Sequence, residues 1–173
     1  LYYGLRNSEC DITAQIVSSN AESSAFSVCF GGRRVQAELP AAGVHNVLDA
    51  LAAVGVGLML GVGLEEACAA LAGFIPAKGR ENIYRKNGFT ILDDCYNASP
   101  EALAASLGVM AGLEGGRHIA CLGDMFELGA QSAAAHAECG RKAAEKCDFL
   151  VACGDMARYY IEGARSAGMP AAH

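Results

Sequence analysis

Apolar and polar positions alternate along residues 12–39, where "ITAQIVSS", "FSVCF" and "RRVQAEL" form short β-type runs separated by polar turns. The junction "FGGR" between two of these runs predicts a hairpin. From Gly43 the period becomes helical: Val47, Leu51, Val54 and Leu58 recur on one face, and a second helix is expected over residues 64–71. The segment "GFIPAKGR", residues 73–80, packs Gly, Pro, Lys and Gly together and reads as a linker. Strands are then expected near 82–85 and 89–92, ahead of a helix capped by Ser99 with Pro100 in its first position. In that helix Leu103, Leu107 and Met110 should face inward.

After that helix, the strand "HIACL" precedes a helix following Ser132, and the strand "FLVAC" precedes one following Asp155. Strand–helix alternation of this kind predicts an α/β fold with a mainly parallel sheet and helices on its faces. Ligands of such sheets bind beyond the carboxyl ends of the strands. "DDCYNASP", "LGDMFELG" and "CGDM" all fall at that edge.

Composition narrows the partners. The chain has 173 residues, 53% of them hydrophobic and 18% charged, which suits a packed globular protein. A formal net charge of −6 argues against nucleic acid or an anionic membrane as the main partner. The uncharged stretch at 50–64 is shorter than the ~20 residues a bilayer needs and lacks basic flanks, so a buried helix is expected there instead. The eight cysteines show no C-x-x-C pair, and most sit in apolar runs, so reduced structural thiols and a cytoplasmic setting are expected. The chain opens on "LYYGL" and stops at "GMPAAH", which we read as a segment of a longer protein.

Familiar catalytic loops are missing from these residues. "GVGLMLG" has the wrong spacing for a dinucleotide loop and lies within a helical pattern, and no G-x-x-x-x-G-K-[ST], G-x-S-x-G or metal-ligand cluster occurs. The remaining chemistry is in three pieces: "GVHNVLDALAA", "KGR" and "DDCYNASP". Taken singly, His45–Asn46 could open a helix with Asn as its cap, Arg80 could be a solvated cation, and Asp93–Asp94 could serve a turn. Taken together they supply an amide and imidazole for a base, a guanidinium for phosphates, and a carboxylate for ribose hydroxyls or a Mg2+-bound water.

This constellation, followed by "LGDMFELG" and then Ser132 and His136, resembles the Mur ligases, the ATP-dependent amide ligases of peptidoglycan synthesis. The resemblance implies the end of a central ATPase domain over residues 1–75, built of strands plus two helices. A truncated Rossmann-like C-terminal ligase domain would follow over 76–173. The signature loop implies, within the family, addition of D-alanyl-D-alanine to UDP-N-acetylmuramoyl-tripeptide through an acyl phosphate, by a cytoplasmic monomer. Another ligase of the superfamily, or a non-catalytic Rossmann-like module for a nucleotide or peptide, are the alternatives. An NAD-dependent oxidoreductase lacks its glycine fingerprint here.

By the same resemblance, His45, Asn46 and Asp49 would approach the adenine of ATP, with Asp49 standing where the family has Asn. Arg80 would reach the phosphates on domain closure and act as the catalytic residue. Asp94, with Asp93, would contact the ribose side, and Tyr96 and Asn97 would line the pocket. Ser99, Asp124 and Glu127 would face the substrate side of the cleft. The phosphate-binding loop, the Mg2+ ligands and the carbamylated lysine of the family are expected upstream of Leu1.

Overall fold

The computed structural model describes residues 1–7, 9–20 and 22–170. It divides into two compact units, Leu1–Ala77 and Lys78–His173.

The first unit is a four-stranded sheet in the order β1 (Tyr3–Gly4), β2 (Ile12–Ser19), β3 (Ser24–Phe30), β4 (Arg33–Leu39). β1 runs parallel to β2, and the other pairs are antiparallel. The expected hairpin joins β3 to β4 through Gly31 and Gly32, whose φ values of 56° and 76° match a primed turn, in which both central residues need positive φ. The two-residue period turns Ile12, Ala14, Ala37 and Leu39 to one face, against helix α1 (Val44–Met59) and helix α2 (Leu64–Ala70). Val47, Leu51 and Val54 form the predicted stripe on α1 and are fully buried, and Leu58 packs at its edge. Gly55 lets the helix approach the sheet closely, since a Cβ there would lie 3.1 Å from Ile12 Cδ1. Within "GVGLMLG", Gly55 thus serves helix packing and Gly61 (φ 87°) helix termination.

The second unit opens with an antiparallel pair, β5 (Asn82–Lys86) and β6 (Phe89–Asp93), turned by Asn87–Gly88 with φ of 52° and 81°. The two strands fall where the sequence places them, but they form a hairpin of their own and not part of a parallel sheet. Asn-Gly is a strong hairpin signal, and it decides the local pairing. Helix α3 (Pro100–Ala111) follows, with Ser99 Oγ accepting from Ala102 N at 3.2 Å. β7 (Ile119–Leu122) and β8 (Phe149–Ala152) are parallel neighbours, as strand–helix alternation requires. Helices α4 (Ser132–Ala144) and α5 (Ala157–Ser166) follow them in turn.

Contact between α4 and α5 depends on two glycines. A Cβ on Gly140 would sit 2.0 Å from the Tyr160 carbonyl oxygen, and one on Gly163 would sit 1.9 Å from that of Ala137. No side chain fits at either position, so the backbones meet directly. The core beneath contains Leu107, Ala120, Leu122, Met125, Cys139 and Tyr160. Ile119, Cys121, Phe149 and Val151 alternate to the opposite face of the β7–β8 pair, where all four are exposed.

All eight cysteines are free. Cys68 and Cys139 are buried as expected of small hydrophobes, whereas Cys95, Cys121 and Cys153 are exposed. Cys121 is exposed because of its register in β7, and Cys95 and Cys153 lie in loops just past strand ends. No helix among the described residues is long and apolar enough to cross a membrane.

Candidate functional site

The segment 78–81 and the end of β6 are bound to each other. Gly79 is buried with φ 73°, donates its N–H to Asn82 Oδ1 at 2.7 Å, and accepts from Tyr96 N at 3.1 Å. A Cβ at Gly79 would lie 3.4 Å from both Tyr96 N and Tyr96 Cβ, in a backbone conformation that only glycine adopts freely. The next residue, Arg80, lays its guanidinium over the Tyr96 ring, 4.4 Å from the centroid. Such a cation–π contact restrains the planar group while its N–H edge can still form a two-point bond to phosphate or carboxylate. Both residues are exposed, Tyr96 at 70%.

The two adjacent acids have different roles. Asp93 closes β6, and its carboxylate accepts from the Cys95 thiol, which raises the pKa of that thiol above its ordinary range. Asp94 faces the protein. Its Oδ1 accepts from Glu81 N at 3.1 Å and its Oδ2 accepts from Ser106 Oγ on α3. Ser106 is one of only four buried polar side chains among the described residues, and its hydroxyl also lies 3.1 Å from the Ala102 carbonyl. Asn97 is exposed beside Tyr96, and Ser99 caps α3.

A second loop, Gly123–Gly129, leaves the carboxyl end of β7. Asp124 turns inward as well, accepting from Asp155 N at 2.9 Å and Met156 N at 3.0 Å, and so ties the end of β7 to the start of α5. Gly154, with φ 104°, gives that carboxylate room, since a Cβ there would lie 2.3 Å from Asp124 Oδ1. Met125 N donates to His136 Nε2 at 2.9 Å, and His136 Nδ1–H donates to the Ser132 carbonyl at 2.7 Å. This pair of bonds requires the neutral Nδ1–H tautomer. The buried Tyr160 ring meets His136 edge-on at 4.8 Å, and its hydroxyl donates to the Gly123 carbonyl at 2.9 Å. Burial pushes that phenol well above its usual range. With its backbone held in this way, the loop presents Phe126, 73% exposed, and Glu127, whose φ is 63°.

In the first unit, α1 begins at Val44 with Gly43 as its cap, so His45 and Asn46 lie in the first turn and Asn46 is not the cap residue. Asn46 Nδ2 donates to the Ala42 carbonyl at 2.7 Å and lies 3.1 Å from His45 Nε2. Asp49 is exposed on the second turn. The structure therefore brings Arg80, Asp93, Asp94, Tyr96, Asn97 and Ser99 to one strand end, Asp124 and Glu127 to another, and His45 and Asn46 to one helix start. Sequence reasoning did not find Gly79, Glu81, Ser106 or Tyr160. Gly79 and Ser106 had weak signals: a glycine directly before the candidate arginine, and a serine in the apolar face of α3. Among the described residues no group of three or more His, Cys, Asp or Glu side chains is disposed to hold a metal ion.

Comparison with known proteins identifies the family. A family profile described as "Mur ligase, glutamate ligase domain" matches residues 79–172, more than half of the chain. The UDP-N-acetylmuramoyl-tripeptide--D-alanyl-D-alanine ligase of Bacillus subtilis (strain 168) is 34% identical over 157 residues, which make up 89% of this chain and 34% of that protein. The ligase of the same name from Haemophilus influenzae is 35% identical over 132 residues, 76% of this chain and 29% of that protein. Among solved structures, MurF from Acinetobacter baumannii superposes with a TM-score of 0.86 at 35% identity, covering 94% of this chain and 35% of that one. MurF from Thermotoga maritima in complex with ADP gives 0.77 at 25% identity, covering 92% and 37%. The chain thus spans about a third of the length of the relatives it matches. The family profile over residues 79–172, together with a relative 34% identical over 89% of the chain, establishes that this chain belongs to the Mur ligase family.

Proposed function

We propose that this chain works within an ATP-dependent ligase that joins D-alanyl-D-alanine to UDP-N-acetylmuramoyl-tripeptide, in peptidoglycan precursor synthesis. The relatives of matching name and fold support this reading. The observation that carries it is the Arg80 guanidinium stacked on Tyr96 at the end of β6, next to a backbone conformation that the glycine at position 79 adopts freely. We assign unit Leu1–Ala77 to the nucleotide-binding region and unit Lys78–His173 to the C-terminal ligase region.

In this reading ATP phosphorylates the terminal carboxylate of the tripeptide. The amine of D-alanyl-D-alanine then attacks the acyl carbon, and the tetrahedral intermediate expels phosphate as the amide forms. Arg80 contributes charge to the phosphoryl oxygens as they pass through the transition state, which is a positioning and electrostatic role. Tyr96 and Asn97 border the same strand end, with Asp93 at its base, and His45, Asn46 and Asp49 serve the adenine. Glu127, on the held Gly123–Gly129 loop, faces the dipeptide. In this reading the ATP-cradling loop and the Mg2+ ligands are supplied by other parts of the intact ligase. Eight unpaired thiols fit a reducing compartment such as the cytoplasm.

The test is Arg80→Ala in the intact ligase, followed by steady-state phosphate release and direct ATP titration. A guanidinium engaged mainly in the transition state predicts a loss in kcat of about 10²-fold with little change in ATP Kd. A marked rise in Kd at constant kcat would make Arg80 a simple binding residue and refute its assigned role.

A further inference from the structure

We infer that Asp94 and Ser106 form a clasp that positions Arg80. This inference rests on the assignment of Arg80 to the phosphates in the proposed reaction. Arg80 itself is exposed, and its side chain is restrained at the guanidinium by the Tyr96 ring. Its backbone is also held on both sides. Gly79 is bound through Asn82 Oδ1 and Tyr96 N, and Glu81 through Asp94 Oδ1. Glu81 sits at φ 47°, a left-handed conformation that a non-glycine residue rarely adopts and keeps only where its surroundings hold it. The Asp94 carboxylate helps to hold it there, by accepting from the Glu81 N–H.

The carboxylate is in turn fixed from behind. Its second oxygen accepts from Ser106 Oγ, which belongs to the buried face of α3 and is only 8% exposed. Ser106 Oγ also lies 3.4 Å from Glu81 Oε1, so the hydroxyl meets both ends of the clasp. The path from helix to guanidinium is short: Ser106 to Asp94, Asp94 to the Glu81 amide, and Glu81 to its neighbour Arg80. Asp94 therefore has a role that needs no direct contact with nucleotide, and Ser106 influences the reaction without touching ligand. Displacement of a reacting group by even 1 Å costs rate far more than it costs ground-state binding, so the clasp should show in kcat.

A double-mutant cycle in the intact ligase tests this. Ser106→Ala should lower kcat by about tenfold with ATP KM changed by less than about twofold. In an Arg80→Ala background the same change should cost less than about twofold, because the residue it positions is gone. Asp94→Asn keeps an acceptor for Glu81 N–H and an amide that can donate to Ser106 Oγ. It should therefore recover at least about tenfold of the activity lost in Asp94→Ala. Melting curves of each variant separate loss of fold from loss of position. Equal losses from Ser106→Ala in both backgrounds would mean a general structural role and overturn the clasp. An active wild type with a silent Ser106→Ala would overturn it too. If the wild-type ligase itself forms no amide bond, the functional reading fails first and the positioning claim goes with it.

Discussion

The two units use buried polarity differently. In Leu1–Ala77 the core is apolar on both sides of its interface, and the buried polar residues, Ser24 and Ser27, sit within a strand of the sheet. Ser24 ties the unit together by donating to the Ala41 carbonyl at 2.9 Å. In Lys78–His173 the buried polar residues, Ser106 and His136, each hold a loop at a strand end, and Tyr160 and the half-buried Asp94 and Asp124 assist them. That unit also leaves one apolar face of β7–β8 exposed. The first unit is built mainly to pack. The second gives up some packing in order to present Arg80 and the Phe126–Glu127 tip in fixed positions, and it pays for fixed polar contacts because each buried donor left without an acceptor is costly.

This contrast predicts brittleness in the second unit and tolerance in the first. The largest effect is expected from Gly163→Ala, whose methyl would overlap the Ala137 carbonyl and force α4 and α5 apart. Overpacking of that kind should destabilise the second unit by about 3 kcal/mol or more. Urea unfolding read by hydrogen-exchange mass spectrometry resolves each unit separately, and the loss should be confined to residues after 78. His136→Leu comes next. It removes the acceptor for the buried Met125 N–H and should cost about 2 kcal/mol, with early exchange of the Gly123–Gly129 loop in the same experiment. Loss of stability without loosening of that loop would break the comparison.

The smallest effect has the opposite sign. Gly57 lies within α1, and an added Cβ would meet Ala67 and Val62 at 3.7 Å, an ordinary contact. Gly57→Ala should therefore stabilise the first unit by about 0.5–1 kcal/mol through the smaller backbone entropy lost on folding. A clear loss of stability there would mean that α1 is packed as tightly as α5.

Local signals in the sequence carried much of this. The stripe of Val47, Leu51 and Val54, the Gly31–Gly32 turn and the Ser99–Pro100 helix start are each written within a few residues, and each stands where its period or cap places it. The Asn87–Gly88 turn was equally legible and indicates an antiparallel pair, which the larger strand–helix alternation masked. What could not be read is which way a carboxylate points. Asp94 serves an amide 13 residues away and Asp124 one 31 residues away, so their inward orientation comes from tertiary contacts that no local pattern encodes. For the same reason the Gly140 and Gly163 contacts, made between two helices, left no periodic trace.

Amide hydrogen exchange on the 173-residue chain tests the account most directly, because it reads the two held strand ends at once. The amides of Glu81, Tyr96 and Met125, bound to Asp94 Oδ1, the Gly79 carbonyl and His136 Nε2, should exchange at least about 10²-fold more slowly than an unstructured chain, although all three lie in loops. Exchange of these three at the unprotected rate, with α4 and α5 still protected, would contradict the claim that the second unit's buried polar groups hold its strand-end loops.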